Sequence, residues 1–378
     1  MKYRKLGRTN LDISEISIGT EWLAKKNPDE ITLVLNKAIE YGVNYFDLIF
    51  NMPDYLHKIS KAIEGKRDKL ILSHHYGSCY KNNKYMKTRS IKLCQETFDE
   101  YLKIMNTDYV DLLFITFVMN EKQYEECIKP NGVLDKALKL KEEGKARFIA
   151  MSTHNAKVAI KAATSGIIDV IMIQLNLASN AMPFRQEMLA TCAENNIGLI
   201  AMKPFAGGNL LKANKVVSLG GYKIGAYDIQ GDKDFSKKKI AEDATAIKCL
   251  HYILSQVGVS AAVPGVSNIE ELDDCMSYYS ASEADLDYSN LIKEFDEYIS
   301  GVCVYCNHCQ PCPEDIDIGP VFRLYDLAKI VKSDEIIKEY NTMKAKASDC
   351  TECGICLKRC PFEVKIIAQM KEVANFLD

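Results

Sequence analysis

A chain of 378 residues that is 47% hydrophobic carries enough apolar material for one large core and a small second domain. Its 48 basic and 51 acidic residues leave a net charge of −3, which gives no electrostatic footprint for nucleic acid or for an anionic membrane surface. The longest apolar stretch, residues 167–175, is broken by Asp169 and is too short to span a bilayer. No apolar segment follows the charges of the opening MKYRKLGRTN, so the expectation is a cytoplasmic protein in a reducing, oxygen-poor cell.

From the amino terminus to about residue 280, short β-branched runs alternate with amphipathic stretches, the pattern of repeated βα units. Eight strands are predicted at residues 17–20 (with the residues just before), 44–49, 70–75, 110–116, 146–153, 170–176, 197–204 and 261–265. Between the first two, Ile31, Leu35 and Ala38 recur at helical spacing, and Gly42 ends the helix. Eight such units close a (β/α)8 TIM barrel, assigned to residues 1–285. In that fold the chemistry sits at the carboxyl ends of the strands.

Four side chains at those ends are candidates for catalysis: Asp47 after strand two, His75 after strand three, His154 after strand five and Lys203 at the end of strand seven. Strands two and three are neighbours in a parallel barrel, so Asp47 and His75 are expected to face one pocket. A carboxylate beside an imidazole fixes its tautomer and raises its pKa, which makes the pair a proton donor or acceptor. Strand alternation sends His74 the other way, toward the helices. His57, His251 and His308 are read as structural. A glycine- and lysine-rich stretch, residues 212–237, is too long for an ordinary loop in a compact barrel and is expected to be a lid, its cations favouring an anionic substrate.

The last part of the chain, residues 286–378, holds two cysteine runs: Cys303, Cys306, Cys309, Cys312 before Pro313, and Cys350, Cys353, Cys356, Cys360 before Pro361. Three cysteines at i, i+3 and i+6 curl a loop around an iron-sulfur cube while the fourth thiolate arrives from elsewhere. The pattern predicts a ferredoxin-like domain with two [4Fe-4S] clusters. One is assigned to Cys303, Cys306, Cys309 and Cys360, the other to Cys350, Cys353, Cys356 and Cys312. The first run is one residue shorter before its fourth cysteine than the usual CxxCxxCxxxCP. Disulfide scaffolds are short and secreted, and zinc ribbons pair two knuckles of two cysteines; neither matches. The remaining cysteines (Cys79, Cys94, Cys127, Cys192, Cys249, Cys275) read as buried free thiols.

The segments YRKLGRTNLDISEISIGTEW, GVNYFD, EGKARFIAMSTHN, IQLN, AMKPFAGGNLL and VPGVSNIEEL, in this order, resemble the aldo/keto reductase family, in its branch with a carboxyl-terminal ferredoxin domain. The resemblance implies carbonyl reduction with NADPH, using a tyrosine acid tuned by a lysine and an aspartate and a histidine that orients substrate. Aligned without gaps, this chain keeps Asp47 but has Met52 at the tyrosine, His75 at the lysine and Thr116 at the histidine. Tyr55, three residues on, would have to rearrange to substitute. By the same resemblance Ser152 and Gln174 hold a nicotinamide carboxamide, and the loop of Gly265, Val266 and Ser267 receives the adenosine phosphate. Asn268, Glu270, Glu271 and Asp274 follow without a cation, so NADH is as plausible a ligand as NADPH. Two readings stand: an iron-sulfur oxidoreductase acting on a small polar or anionic molecule, served by a redox protein such as ferredoxin or flavodoxin, or an electron-transfer and docking module whose barrel has lost its chemistry.

Overall fold

The computed structural model describes residues 1–180, 182–208, 210–211, 244–292, 303, 309–330, 334–360 and 363–378. Its centre is one ring of parallel strands: β1 (Ile18–Gly19), β2 (Tyr45–Asp47), β3 (Ile71–Tyr76), β4 (Val110–Ile115), β5 (Ala146–Thr153), β6 (Val170–Gln174), β7 (Gly198–Met202) and β8 (Val259–Val263). Each pairs with the next in sequence, and bridges from Ile16 to Ala262 and from Gly19 to Gly265 join β8 back to β1. All eight predicted strands are present, and the fold is a (β/α)8 barrel.

Helices separate the strands, and their ends are set locally. Helix α1 (Pro28–Glu40) begins with a capping box, in which Asn27 accepts from the Glu30 amide at 2.9 Å while Glu30 accepts from the Asn27 amide at 3.1 Å. Such a cap contributes about 1 kcal/mol. Helix α2 (Pro53–Ala62) starts with proline at its first position, where no amide is needed. The apolar faces of these helices bury Leu35, Leu56 and Ile59 against the outward residues of the strands.

The inward residues make a separate core. Tyr45, Leu112, Phe114, Ala150, Met172, Ile200 and Ala261 fill the ring, and an amino-terminal hairpin, Tyr3–Lys5 with Asp12–Ser14, closes its lower end with Leu6 and Ile13. Leu6 needs Gly198 beneath it, since a Cβ there would stand 2.7 Å from the leucine side chain. With the bottom plugged, the site is confined to the opposite end, where the strands point.

A second hairpin, Ser78–Lys81 with Lys84–Lys87, follows β3 and was not anticipated from the sequence. Its turn is Asn82–Asn83, both at positive φ (52° and 58°), the geometry of a two-residue turn that asparagine tolerates. The carboxyl-terminal residues form their own apolar core, in which Val321, Phe322, Leu324, Ile336 and Tyr340 pack with Ile366, Met370 and Val373. Tyr340 donates to Asp378 at 2.5 Å and accepts from the Ala347 amide at 2.8 Å, tying down the chain end. Among the described residues, no helix is long and apolar enough to cross a membrane. The expected lid stretch, residues 212–237, lies outside the described residues, as do Cys306, His308 and Pro361.

Candidate active site

The carboxyl ends of the strands enclose a cavity of about 450 Å³. Strand alternation decides who faces it. Tyr45 and Asp47 of β2, and Ile71, Ser73 and His75 of β3, are the inward set, whereas His74 turns outward to stack edge-on against Phe98 and Tyr101 of helix α3 (Ile91–Ile104). His74 and His75 thus separate as expected.

Nε2 of His75 lies 2.8 Å from Oδ1 of Asp47, and Nδ1 lies 3.2 Å from Oγ1 of Thr116, which in turn is 2.7 Å from Oγ of Ser152. A continuous hydrogen-bonded chain therefore runs from the carboxylate through the imidazole to two hydroxyls. The ring is held flat against Phe114, 4.8 Å away with an 8° angle between planes. Tyr45 also donates to Oδ1 of Asp47, at 3.0 Å; burial raises its phenol pKa well above normal, so it stays protonated as a donor. Both ring nitrogens of His75 are engaged and its side chain is 1% exposed, against 13% for Asp47. Asp47 and His75 both border the cavity, and Asp47 is the more exposed of the two.

Met52, at the position of the family's tyrosine, borders the cavity. Tyr55 does not: it is buried in α2 with its hydroxyl directed at the Thr20 hydroxyl and carbonyl, and burial raises its pKa. Its phenol is committed to the barrel wall. The unanticipated hairpin supplies Tyr85 and Lys87 to the cavity, and the β1 loop supplies Glu21 and Trp22. A sequence signal existed for three of them, since Asn82–Asn83 marks the turn of the hairpin that carries Tyr85 and Lys87, and Trp22 is the chain's single tryptophan, placed at a strand end.

His154 and Lys203 also reach the cavity. Nδ1 of His154 is 2.8 Å from Oε1 of Gln174, and burial, reinforced by the Lys203 charge, lowers its pKa to about 3. His154 is thus a neutral hydrogen-bonding group and no proton donor near pH 7. Lys203 sits just past β7 at φ 58°, its carbonyl bound by the Asn176 side-chain amide at 3.0 Å. The partly buried Glu21 carboxyl is pushed up by desolvation and pulled back down by the Lys203 charge, so acid and cation share this wall.

The residues expected to hold a nicotinamide dinucleotide divide. Ser152 and Gly265 border the cavity, while Gln174 and Ser267 do not. Gln174 stands behind His154, and its buried side-chain nitrogen has no partner among the described residues. At the phosphate end, the Ser267 amide and hydroxyl both donate to Oε2 of Glu271, at 2.7 and 2.9 Å. The Trp22 indole covers Gly265 so closely that a Cβ there would fall 2.3 Å from Nε1. The residues present do not fit a bound adenosine phosphate.

The carboxyl-terminal segment reaches the same cavity through Gln310, Asp317 and Pro320, and Lys25 pairs with Asp317 at 3.7 Å. Trp22 packs against the carboxyl-terminal core that also includes Cys303, Cys309, Cys312, Cys350, Cys356 and Cys360. The two cysteine runs are cross-linked: Arg359 donates to the Pro311 carbonyl at 2.7 Å, and Thr351 donates to Glu314 at 3.1 Å. Burial pushes the Cys356 thiol pKa up, and the charges of Cys350, Cys353 and Cys312 add to it. Among the described residues, no group of three or more histidine, cysteine or acidic side chains is closed up as a metal site.

The family described as Aldo/keto reductase family matches residues 15–297 of this chain. Among curated proteins, the oxidoreductase YqkF of Bacillus subtilis is 26% identical over 282 residues, covering 72% of this chain and 89% of that protein. L-galactose dehydrogenase of Arabidopsis thaliana is 23% identical over 293 residues, covering 72% and 86%. Among solved structures, the holo form of aldo-keto reductase AKR11C1 from Bacillus halodurans superposes with a TM-score of 0.62 at 19% identity, over 79% of this chain and 97% of that one. The chain belongs to the aldo/keto reductase family and is an oxidoreductase.

Proposed function

We propose that this aldo/keto reductase family member is an iron-sulfur oxidoreductase that works on a small polar or anionic molecule in the barrel cavity, with Asp47 and His75 handling the proton. The observation that carries the reading is the 2.8 Å contact between Asp47 and His75 in a cavity that the cysteine-bearing segment helps to wall through Gln310 and Asp317. Cys303, Cys306, Cys309 and Cys360 would hold one [4Fe-4S] cluster, and Cys350, Cys353, Cys356 and Cys312 the other. Bound there, such clusters supply or accept single electrons. The hydrogen bonds that join the two runs, from Arg359 to the Pro311 carbonyl and from Thr351 to Glu314, support that exchange of ligands.

The chain's own residues do the rest. Phe114 and Thr116 fix the imidazole, Tyr45 orients the carboxylate, and the partly exposed Asp47 carries a proton between His75 and the bound molecule. Lys203 and Lys87 meet an anionic group, while Trp22, Phe50, Met52 and Met172 exclude water around the rest. A redox protein such as ferredoxin or flavodoxin is the electron partner in this reading.

The replacement of three family catalytic positions by Met52, His75 and Thr116 favours the second reading, an electron-transfer and docking module. One experiment separates the two: anaerobic purification, identification of any co-purifying small molecule, and a turnover assay of the His75→Ala protein on that molecule. The enzyme reading requires turnover that depends on His75; a ligand-free protein that only relays electrons supports the module.

A further inference from the structure

We infer that this barrel takes no electrons from a nicotinamide dinucleotide, because the place where the family seats the adenosine phosphate is filled by the chain's own carboxylate and indole. A phosphate is received by amides and hydroxyls that have donors to spare, with a cation close by. At the end of β8 the amide and hydroxyl of Ser267 are both spent on one atom, Oε2 of Glu271, and Glu271 is 8% exposed. The Glu271 backbone amide donates to Oδ1 of Asn268 at 2.8 Å, so the residue sits in the first turn of helix α4 (Ile269–Met276), where a negative charge is stabilised.

An arriving phosphate would have to displace this buried group and then share the turn with it and with Glu270. Residues 268–276 contain no lysine or arginine to offset that repulsion. The approach is closed independently by Trp22. Its indole lies against Gly265, leaving no room even for a Cβ, and Trp22 also packs on the carboxyl-terminal core. Moving the indole aside would therefore also disturb the segment that walls the cavity through Gln310 and Pro320.

The inference is independent of the iron-sulfur reading, and its failure is distinguishable from a failure of that reading. Calorimetric titration of the anaerobically purified wild-type chain with NADPH and with NADH, alongside an iron determination on the same sample, tests it. The expected result is no binding heat for either nucleotide up to about 1 mM, whatever the iron content. A dissociation constant below about 100 µM for either nucleotide overturns it, even with full iron. The Glu271→Gln and Trp22→Ala proteins supply the second arm: tighter nucleotide binding than wild type in either supports the blockade. Unchanged weak binding in all three proteins, at dissociation constants below 1 mM, shows that the nucleotide enters by another route and also overturns it.

Discussion

Asp47 and His75, two residues 28 apart in the chain, are joined by a single hydrogen bond from Nε2 to Oδ1 of 2.8 Å, and both border the cavity, the carboxylate being the more exposed. In the proposed function the imidazole is the reserve of the proton and the carboxylate its point of delivery. Conversion of Asp47 to Asn keeps the shape but removes the charge that holds His75 in its tautomer. Turnover of the true substrate is expected to fall roughly a hundredfold or more in Asp47→Asn and in His75→Ala, the usual worth of a positioned acid-base group. Circular dichroism and cluster content should be unchanged in both. Full activity in His75→Ala would reassign the donor.

Tyr55 is tied to Thr20 and does not border the cavity, while Met52, which does, has no proton to give. Common aldehydes and ketones supplied with NADPH should therefore be reduced very poorly, and Tyr55→Phe should leave turnover of the true substrate within about twofold. Met52→Tyr should not create carbonyl reductase activity, because the position of the family's lysine holds His75 engaged on both nitrogens. Steady-state assays across a panel of aldehydes check all three expectations.

His154 is neutral in the folded protein with a pKa of about 3, against 6.5 when unfolded. The unfolded chain binds the extra proton between these values, so stability is fully present above pH 6.5 and is lost as pH falls through that window. The slope is about 1.4 kcal/mol per pH unit from this residue, or roughly 2 kcal/mol between pH 6.5 and 5. His74 has its pKa lowered by burial, with the His75 charge adding, and so contributes in the same direction. Chemical denaturation at pH 7 and pH 5 measures the difference. Equal stability at both would contradict the burial of these two rings.

Among the described residues, neither nitrogen of His74 has a hydrogen-bond partner, although the ring is buried among Tyr76, Phe98 and Tyr101. An unmet buried polar group costs about 1–3 kcal/mol. His74→Phe should therefore be at least as stable as wild type at pH 7 and less sensitive to acid, as read by melting temperature. A marked loss of stability at pH 7 would show that the ring nitrogens do useful bonding.

How much of this was legible follows from the physics of each element. The barrel strands were readable because a parallel strand buried on both sides is a dense apolar run, as in Val110–Ile115 and Val170–Gln174. Asp47 and His75 were readable because strand ends in this fold have only one place to go. The hairpin Ser78–Lys87 was missed because its residues are mixed and half-exposed, and only Asn82–Asn83 marks its turn. Tyr85 and Lys87 were lost with it. Nothing in the sequence indicated that Tyr55 would turn to Thr20, or that Glu271 would reach back to Ser267. Both are choices of rotamer within a helix, and spacing alone does not encode them. Nor did spacing reveal that Gln310 and Asp317 border the barrel cavity, which depends on how two separate cores meet.

The proposed exchange of ligands between the two cysteine runs makes a selective prediction. On that assignment Cys312→Ser should affect the cluster shared with Cys350, Cys353 and Cys356, and should lower iron toward about half of the wild-type value. Electron paramagnetic resonance of the reduced protein should then show one cluster signal where wild type shows two interacting ones. Loss of the first run's signal instead would reverse the assignment.

The most direct measurement is the iron and acid-labile sulfide content of the full chain purified without oxygen. Two four-iron cubes predict a brown protein with about eight irons and about eight sulfides per chain. Stoichiometric zinc in place of iron, or a colourless protein that takes up no iron on anaerobic reconstitution, would contradict the account.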